Sequence, residues 1–168
     1  MNQKKTDILI VGLGLAGMTA AITAAKSGKK ITIITKTNSR VSGNTPWAQG
    51  GIVYKGLNDS PKKLKSDILN AGSGHCWEEA VDHLCNHGPR LVKDILLDTL
   101  NAKFDTTDGE LKRVAEGAHS DPRVIYNQDK TGASIHQAAL SYLQALDNVE
   151  ILTGYTAVDL LTFSHHSI

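Results

Sequence analysis

The chain has 168 residues, 40% hydrophobic and 21% charged, with a formal net charge of +1. That length suits one domain, residues 1–168, and leaves little room for a second. The near-neutral balance argues against nucleic acid or an anionic membrane as partner, and no apolar run reaches the roughly 18 residues of a membrane span.

In chain order, Asp7 to Val11 is an unbroken aliphatic run of the kind a buried parallel strand needs. Leu15 to Lys26 carries Ala, Met, Thr and Ile at helical spacing and is stopped by Ser27-Gly28. Ile31 to Thr35 is a second, β-branched strand. Strand, helix and strand fit into about 30 residues, the size of one βαβ unit. Ser60-Pro61 opens a helix that ends near Gly72, a capping residue followed by proline at the first turn. Two further helical stretches, Trp77 to His87 and Pro89 to Asn101, are separated by Gly88-Pro89. Thr107-Asp108-Gly109-Glu110 predicts a turn between two short strands. Thr131 is expected to cap a helix running through Ala145. Val149 to Leu152 and Ala157 to Leu161 read as strands. The pattern is α/β, with a Rossmann-like parallel sheet.

Two cysteines, Cys76 and Cys85, fit a reduced, cytoplasmic protein rather than a disulfide framework. His75, Cys76, His83, Cys85 and His87 fall close together, but no C-x₂-C or HExxH spacing appears. An amphipathic helix with Val81 and Leu84 inward explains the group, and no metal is expected. Lys4-Lys5 before an apolar run imitates an export signal, yet Asp7 and the evenly placed glycines that follow point elsewhere.

Those glycines are Gly12-Leu13-Gly14-Leu15-Ala16-Gly17, a G-x-G-x-x-G motif that begins as the first strand ends and opens the first helix. The first glycine makes a tight turn and the second lets backbone approach a pyrophosphate. The third lets helix and strand pack closely. The helix N-terminus offers amide hydrogens and partial positive charge to the phosphates. From Ile8 to Asn58 there is no Asp or Glu, a stretch suited to an anionic ligand, although solvated lysines explain much of the imbalance equally well. The acidic residue usual for a ribose is missing after the second strand, where Lys36 stands with Arg40 soon after. Either a 2′-phosphate of NADP pairs with these cations, or a flavin dinucleotide is held in another way. The uncharged loop Gly43-Asn44-Thr45-Pro46-Trp47-Ala48-Gln49-Gly50-Gly51 suggests closure over a ligand, while Trp47 taken alone reads as an ordinary core aromatic.

GLGLAG, then Ile33-Ile34-Thr35-Lys36, then Thr45-x-x-Ala48-Gln49-Gly50-Gly51-Ile52 resemble the flavoprotein family of succinate dehydrogenase, fumarate reductase and L-aspartate oxidase. The resemblance implies FAD as cofactor, with the strand-end lysine and the AQGGI loop against it. Cofactor contacts are then expected from Gly12 to Gly17, Lys36, Asn44 to Gly51, and Ala157. Covalent members place a histidine before the loop's threonine. Asn44 stands there, which implies noncovalent FAD. Gly109-Glu110-Leu111, Glu116-Gly117-Ala118-His119-Ser120, Arg123 and Asp129-Lys130-Thr131-Gly132 are similar to the amino-acid-oxidising branch. This implies Glu116 and His119 at the catalytic site, Glu116 pairing with the α-ammonium of L-aspartate. It further implies iminosuccinate as product, oxygen or fumarate as electron acceptor, and a place in NAD biosynthesis. Family members are roughly three times this length, so the chain reads as an incomplete N-terminal part of a larger flavoprotein. By itself it is expected not to turn over aspartate. A noncovalent dicarboxylate reductase or dehydrogenase and a non-catalytic nucleotide-binding remnant are the alternatives.

Overall fold

A computed structural model describes residues 3–162. In chain order these form β1 (Ile8–Val11), α1 (Leu15–Ala25), β2 (Ile31–Thr35), β3 (Ile52–Val53), α2 (Pro61–Gly72) and α3 (Glu78–Leu91). There follow β4 (Thr106–Thr107), β5 (Glu110–Leu111), β6 (Val124–Ile125), α4 (Thr131–Gln144) and β7 (Val149–Thr153). The described residues fall into two compact units, one of residues 3–45 with 139–162, the other of residues 46–138.

The first unit is built on a parallel sheet of order β1-β2-β7. Ile8 pairs with Ile31 and Val11 with Ile34 on one side of β2; Ile31 pairs with Val149 and Thr35 with Thr153 on the other. As the central strand, β2 has almost every side chain buried, which is why it reads as a continuous β-branched run rather than an alternating one. Edge strand β1 alternates instead, with Ile8 and Ile10 half-buried and Leu9 and Val11 exposed. Met18, Ala21 and Ile22 form the buried stripe of α1, and Ala139, Leu140 and Leu143 are buried on the last turns of α4. The Asn148 amide group donates to the carbonyls of Ala25 and Lys29, at 2.9 Å each, tying the end of α1 to the start of β7.

Ala157 to Leu161, expected as a strand, is irregular. Gly154 turns the chain out of the β7 direction at φ +76°, and Val158 beyond it is 93% exposed. The β-propensity of these residues has no neighbouring strand to act on among the described residues.

In the second unit α2 begins as expected, with the Ser60 hydroxyl accepting from the Lys63 amide and Pro61 at the first position. Leu64 on α2 packs with Val81 and Cys85 on α3, and Val53, Ile68, Leu69 and Cys76 close the cluster. Val81 and Cys85, four residues apart, set the inward face of α3, so Leu84 is exposed rather than inward. The expected break at Gly88-Pro89 does not occur. Proline removes one intrahelical donor, but its fixed φ is helical, and the Val92 amide reaches the carbonyls of both Gly88 and Pro89. From there the helix widens into a π-helical segment, Val92–Thr99.

β4 and β5 form the expected hairpin, Asp108 and Gly109 both taking positive φ as a two-residue type I′ turn requires. Thr131 is the first residue of α4 rather than its cap, because its hydroxyl accepts from the Asn127 amide at 2.9 Å. β3 and β6, two residues each, pair antiparallel and carry too short a pattern to read from sequence. Gly51 lies against them: a Cβ there would stand 2.2 Å from Val124 Cγ1.

Met18 has no exposed surface, so Met18→Ala is expected to lower stability by about 2–5 kcal/mol through lost burial and the cavity left behind. Urea unfolding followed by circular dichroism measures it, and a loss below about 1 kcal/mol would mean that this stripe is not core.

Candidate functional site

In the first unit the chain leaves β1 at Gly12, with φ +108°, and the Gly12 amide donates to the Ile34 carbonyl at 2.9 Å. A left-handed turn here is open to glycine and disfavoured for residues with a Cβ. Gly17, one turn into α1, lies over it: a Cβ would stand 2.1 Å from the Gly12 carbonyl oxygen. The third glycine of the motif therefore serves close packing, as its position predicts. Gly14 caps α1 without a side-chain bond, and no acidic residue occupies the first turn. The Thr45 hydroxyl accepts from the Leu15 amide at 3.1 Å, fixing the loop's threonine to the helix start. Sequence reading placed Thr45 in the loop but missed this bond.

Gly12 to Gly14, Lys36, Gly43 and Ala157 line one groove of about 330 Å³. The amides of Gly154 and Tyr155 donate to the carbonyls of Thr37 and Thr35, which carries residues 155–157 over the ends of the strands. Lys36 is exposed at the rim, and no carboxylate lines the groove. Open glycine backbone, a helix N-terminus with no side chain at its capping residue and an exposed lysine fit a dinucleotide's diphosphate. Leu15, Ala16 and Gly17 lie in the first turn of α1, and exposed Asn44 follows Gly43.

Pro46 to Gly51 belong to the second unit. Trp47 there is 76% exposed, which rules it out as a core aromatic of its own unit. Ala48 accepts from the Gly132 amide at 2.8 Å. Ala48, Gln49 and Gly50 are exposed, and nothing lies within 4 Å of where a Gly50 Cβ would be. One glycine of the pair thus packs on β6 while the other faces open space.

The second unit also holds Glu116 and His119. The His119 amide donates to the Glu116 carbonyl at 3.0 Å, with Gly117 at φ +47° inside the turn. Both residues line a cavity of about 320 Å³ with Asp67 and Ile68. Ala118 does not take positive φ, so its methyl group is accommodated.

Behind that turn lies Arg123, with 0% exposure. Its Nε and Nη2 donate to the two carboxylate oxygens of Asp59 at 2.7 and 2.9 Å. Nη1 donates to Asp67 Oδ2 at 2.6 Å and lies 2.8 Å from His119 Nδ1. Asp67 Oδ2 also accepts from the amide and hydroxyl of Ser120, both at 2.9 Å. The Ser120 amide, with Arg123 second, holds the Asp67 carboxyl at about 2, below its ordinary 3.8. Burial disfavours the charge of Asp59, but Arg123 and the amides of Ser60 and Gly56 outweigh it and hold this carboxyl low too. The paired carboxylate of Asp59 raises Arg123 further above its usual range. Sequence reading noted Arg123 only as part of a pattern and missed Asp59 and Asp67. The available signal was an arginine directly before the apolar pair Val124-Ile125, where a lone cation needs partners.

Asp67 makes stability depend on acid. Its folded value lies below its unfolded one, so its contribution is present above pH 3.8 and is lost as pH falls towards about 2. Across that interval wild-type stability is expected to fall by about 2 kcal/mol on account of this residue, and Asp67→Asn to flatten the acid limb. Urea unfolding at several pH values measures both, and an unchanged slope in the variant would deny Asp67 the role. Gly17→Ala is expected to weaken FAD binding at least about tenfold, because its methyl group meets the Gly12 carbonyl. Flavin fluorescence titration measures this, and unchanged affinity would mean that the cradle is not the binding site.

Residues 7–166 match the FAD binding domain family. L-Aspartate oxidase of Halobacterium salinarum is 40% identical over 157 residues, covering 94% of this chain and 30% of that protein. L-Aspartate oxidase of Synechocystis is 35% identical over 161 residues, covering 95% of this chain and 28% of that one. Among solved structures, the quinol fumarate reductase FrdA of E. coli superposes with a TM-score of 0.82 at 25% identity, over 90% of this chain and 26% of that chain. The chain thus spans less than a third of the length of these relatives. No helix among the described residues is long and apolar enough to cross a membrane. The resemblance drawn from the glycine motif and the AQGGI loop is borne out, and the nucleotide left open at Lys36 is FAD rather than NADP. Matched over nearly its whole length, the chain belongs to the FAD binding domain family.

Proposed function

We propose that this chain is the FAD-binding part of a cytoplasmic oxidoreductase that converts L-aspartate to iminosuccinate in de novo NAD biosynthesis, with oxygen or fumarate as electron acceptor. The observation that carries the reading is the Glu116–His119 turn, which presents a carboxylate and an imidazole to one cavity. The names of the two relatives at 35–40% identity support the choice of substrate.

FAD, when bound, accepts the two electrons and the hydrogen that leave Cα of the amino acid. The residues of this chain bind and orient. Glycine backbone and the start of α1 receive the diphosphate, and Lys36 adds positive charge at the rim. Asn44 offers no nucleophile of the kind a covalent flavin link uses, so the cofactor is held noncovalently. Glu116 pairs with the α-ammonium of aspartate, a group that a fumarate or succinate site does not need to receive. Two carboxylates also need donors, ideally bidentate guanidinium groups. Arg123 is not available for that task, because Asp59, Asp67 and His119 occupy four of its hydrogens.

The absorption spectrum of the full-length protein tests the reading. A flavin spectrum that survives removal of free FAD, is released by acid, and bleaches anaerobically with L-aspartate but not with succinate is expected. Glu116→Gln is expected to retain flavin and raise the aspartate concentration needed for bleaching at least about tenfold. Bleaching by succinate instead would favour a noncovalent dicarboxylate dehydrogenase, for which the TM-score of 0.82 to a fumarate reductase is the supporting likeness.

A further inference from the structure

We propose that Arg123 is a positioning residue for His119, holding the imidazole as the tautomer with hydrogen on Nε2, so that the ring enters the Glu116 cavity as a hydrogen-bond donor. The donor role rests on the substrate reading above; the tautomer rests on geometry alone.

A guanidinium has five N–H donors and no acceptor. Nη1 of Arg123 carries two of those hydrogens. One goes to Asp67 Oδ2 at 2.6 Å, and the other is left for His119 Nδ1 at 2.8 Å. At that separation a hydrogen on Nδ1 would oppose a hydrogen on Nη1. Nδ1 must therefore accept, and the ring hydrogen sits on Nε2. The guanidinium has no freedom to turn away, because Asp59 holds Nε and Nη2 from the other side. Nor has the turn, because Ser120, the next residue after His119, is bound to Asp67 through both its amide and its hydroxyl. The chain of restraint runs from two carboxylates to a fully buried cation, and from the cation to one ring nitrogen.

His119 Nε2 makes no hydrogen bond among the described residues, and the ring borders the cavity that Glu116 shares. The pair is thus differentiated in chemistry. Glu116 accepts and suits the ammonium of an amino acid, while Nε2–H donates and suits a carboxylate oxygen of the same molecule. A histidine with Nδ1 committed to a guanidinium is a poor candidate for a base acting through Nδ1, which confines its role to binding and polarisation through Nε2.

Ring ¹⁵N NMR of the full-length, histidine-labelled protein tests this, with His119 assigned by loss of its signals in His119→Gln. In the wild type the Nδ1 resonance is expected where an unprotonated acceptor lies, and Nε2 where a protonated nitrogen lies. In Arg123→Met the two resonances are expected to move towards each other as tautomers mix, and in Arg123→Lys, which keeps a donor, to return towards wild type. Because Arg123→Met strips two carboxylates of their partner, the same measurement is made on the triple variant Asp59→Asn, Asp67→Asn, Arg123→Met, which leaves no unpaired charge. Hydrogen on Nδ1 in the wild type, or wild-type shifts in Arg123→Met or in the triple variant, overturns the proposal. Succinate separates this from the substrate reading. A shift confined to Nε2 supports the donor role, whereas no shift with the tautomer still held removes the donor role and leaves the positioning by Arg123 in place.

Discussion

A fully buried guanidinium is the constraint on which the second unit depends. Moving one such ion out of water costs several kcal/mol even after relaxation, and only good geometry with several hydrogen bonds offsets it. Arg123 meets that condition with two carboxylates from one stretch of chain, Asp59 just ahead of α2 and Asp67 within it. The cation is therefore less a source of net stability than a specification. Any arrangement that displaces one partner leaves a buried charge unpaired, at a penalty of about 3–5 kcal/mol. That penalty fixes the start of α2, the Glu116–Ser120 turn and the entry to β6 to one another. The cavity with Glu116 and His119 is shaped by the same restraint.

The first unit is constrained by steric contact instead. Between Gly12 and Gly17 there is no space for a side chain, so β1 and α1 meet with backbone against backbone. The glycines do different things: Gly12 takes a φ that L-residues avoid, Gly17 removes a clash, and Gly14 brings no side chain to the helix start. Each of these adds to one result, a patch of amide hydrogens and positive helix potential at the end of β1. A diphosphate is the ligand that needs such a patch and little else. The same groove is lined by Lys36 and Ala157.

Sequence pattern reaches far into this fold and stops at identifiable places. β1, α1, β2, α2 and β7 carry their own signals: unbroken aliphatic runs, a Ser-Pro start, a Gly stop. Each is fixed by local chemistry and read within a residue or two. Pro89 misleads because propensity speaks of isolated helices, whereas α3 and the π-helical segment are held along Val81, Cys85, Val92 and Leu96 by packing. Ala157 to Leu161 misleads in the opposite sense, since β-propensity needs a partner strand to be realised. β3 and β6 are too short for any period to show. At the site, the cradle is legible because its glycines act on their own backbone. The ion cluster is not, because Asp59 and Asp67 lie 64 and 56 residues from Arg123 in sequence, and nothing local to either acid announces its partner.

The distribution of acid along the chain follows from the same two constraints. A carboxylate at about 4 Å from a phosphate would oppose it by about 1–4 kcal/mol, between the limits of bulk water and a protein surface. No Asp or Glu occurs from Ile8 to Thr45, so this part of the first unit would spare an anion at the groove that repulsion. Asp59, which ends the acid-free run of the sequence, has its charge paired with a buried guanidinium. Glu116 differs from both, exposed and outside the ion cluster, with its charge available to a ligand. An amino acid with two carboxylates asks for opposite things at its ammonium and its carboxylate ends. Under the proposed reading, a carboxylate and an Nε2–H donor, held on one turn by a buried cation, would answer that demand without placing an unpaired positive charge in the cavity.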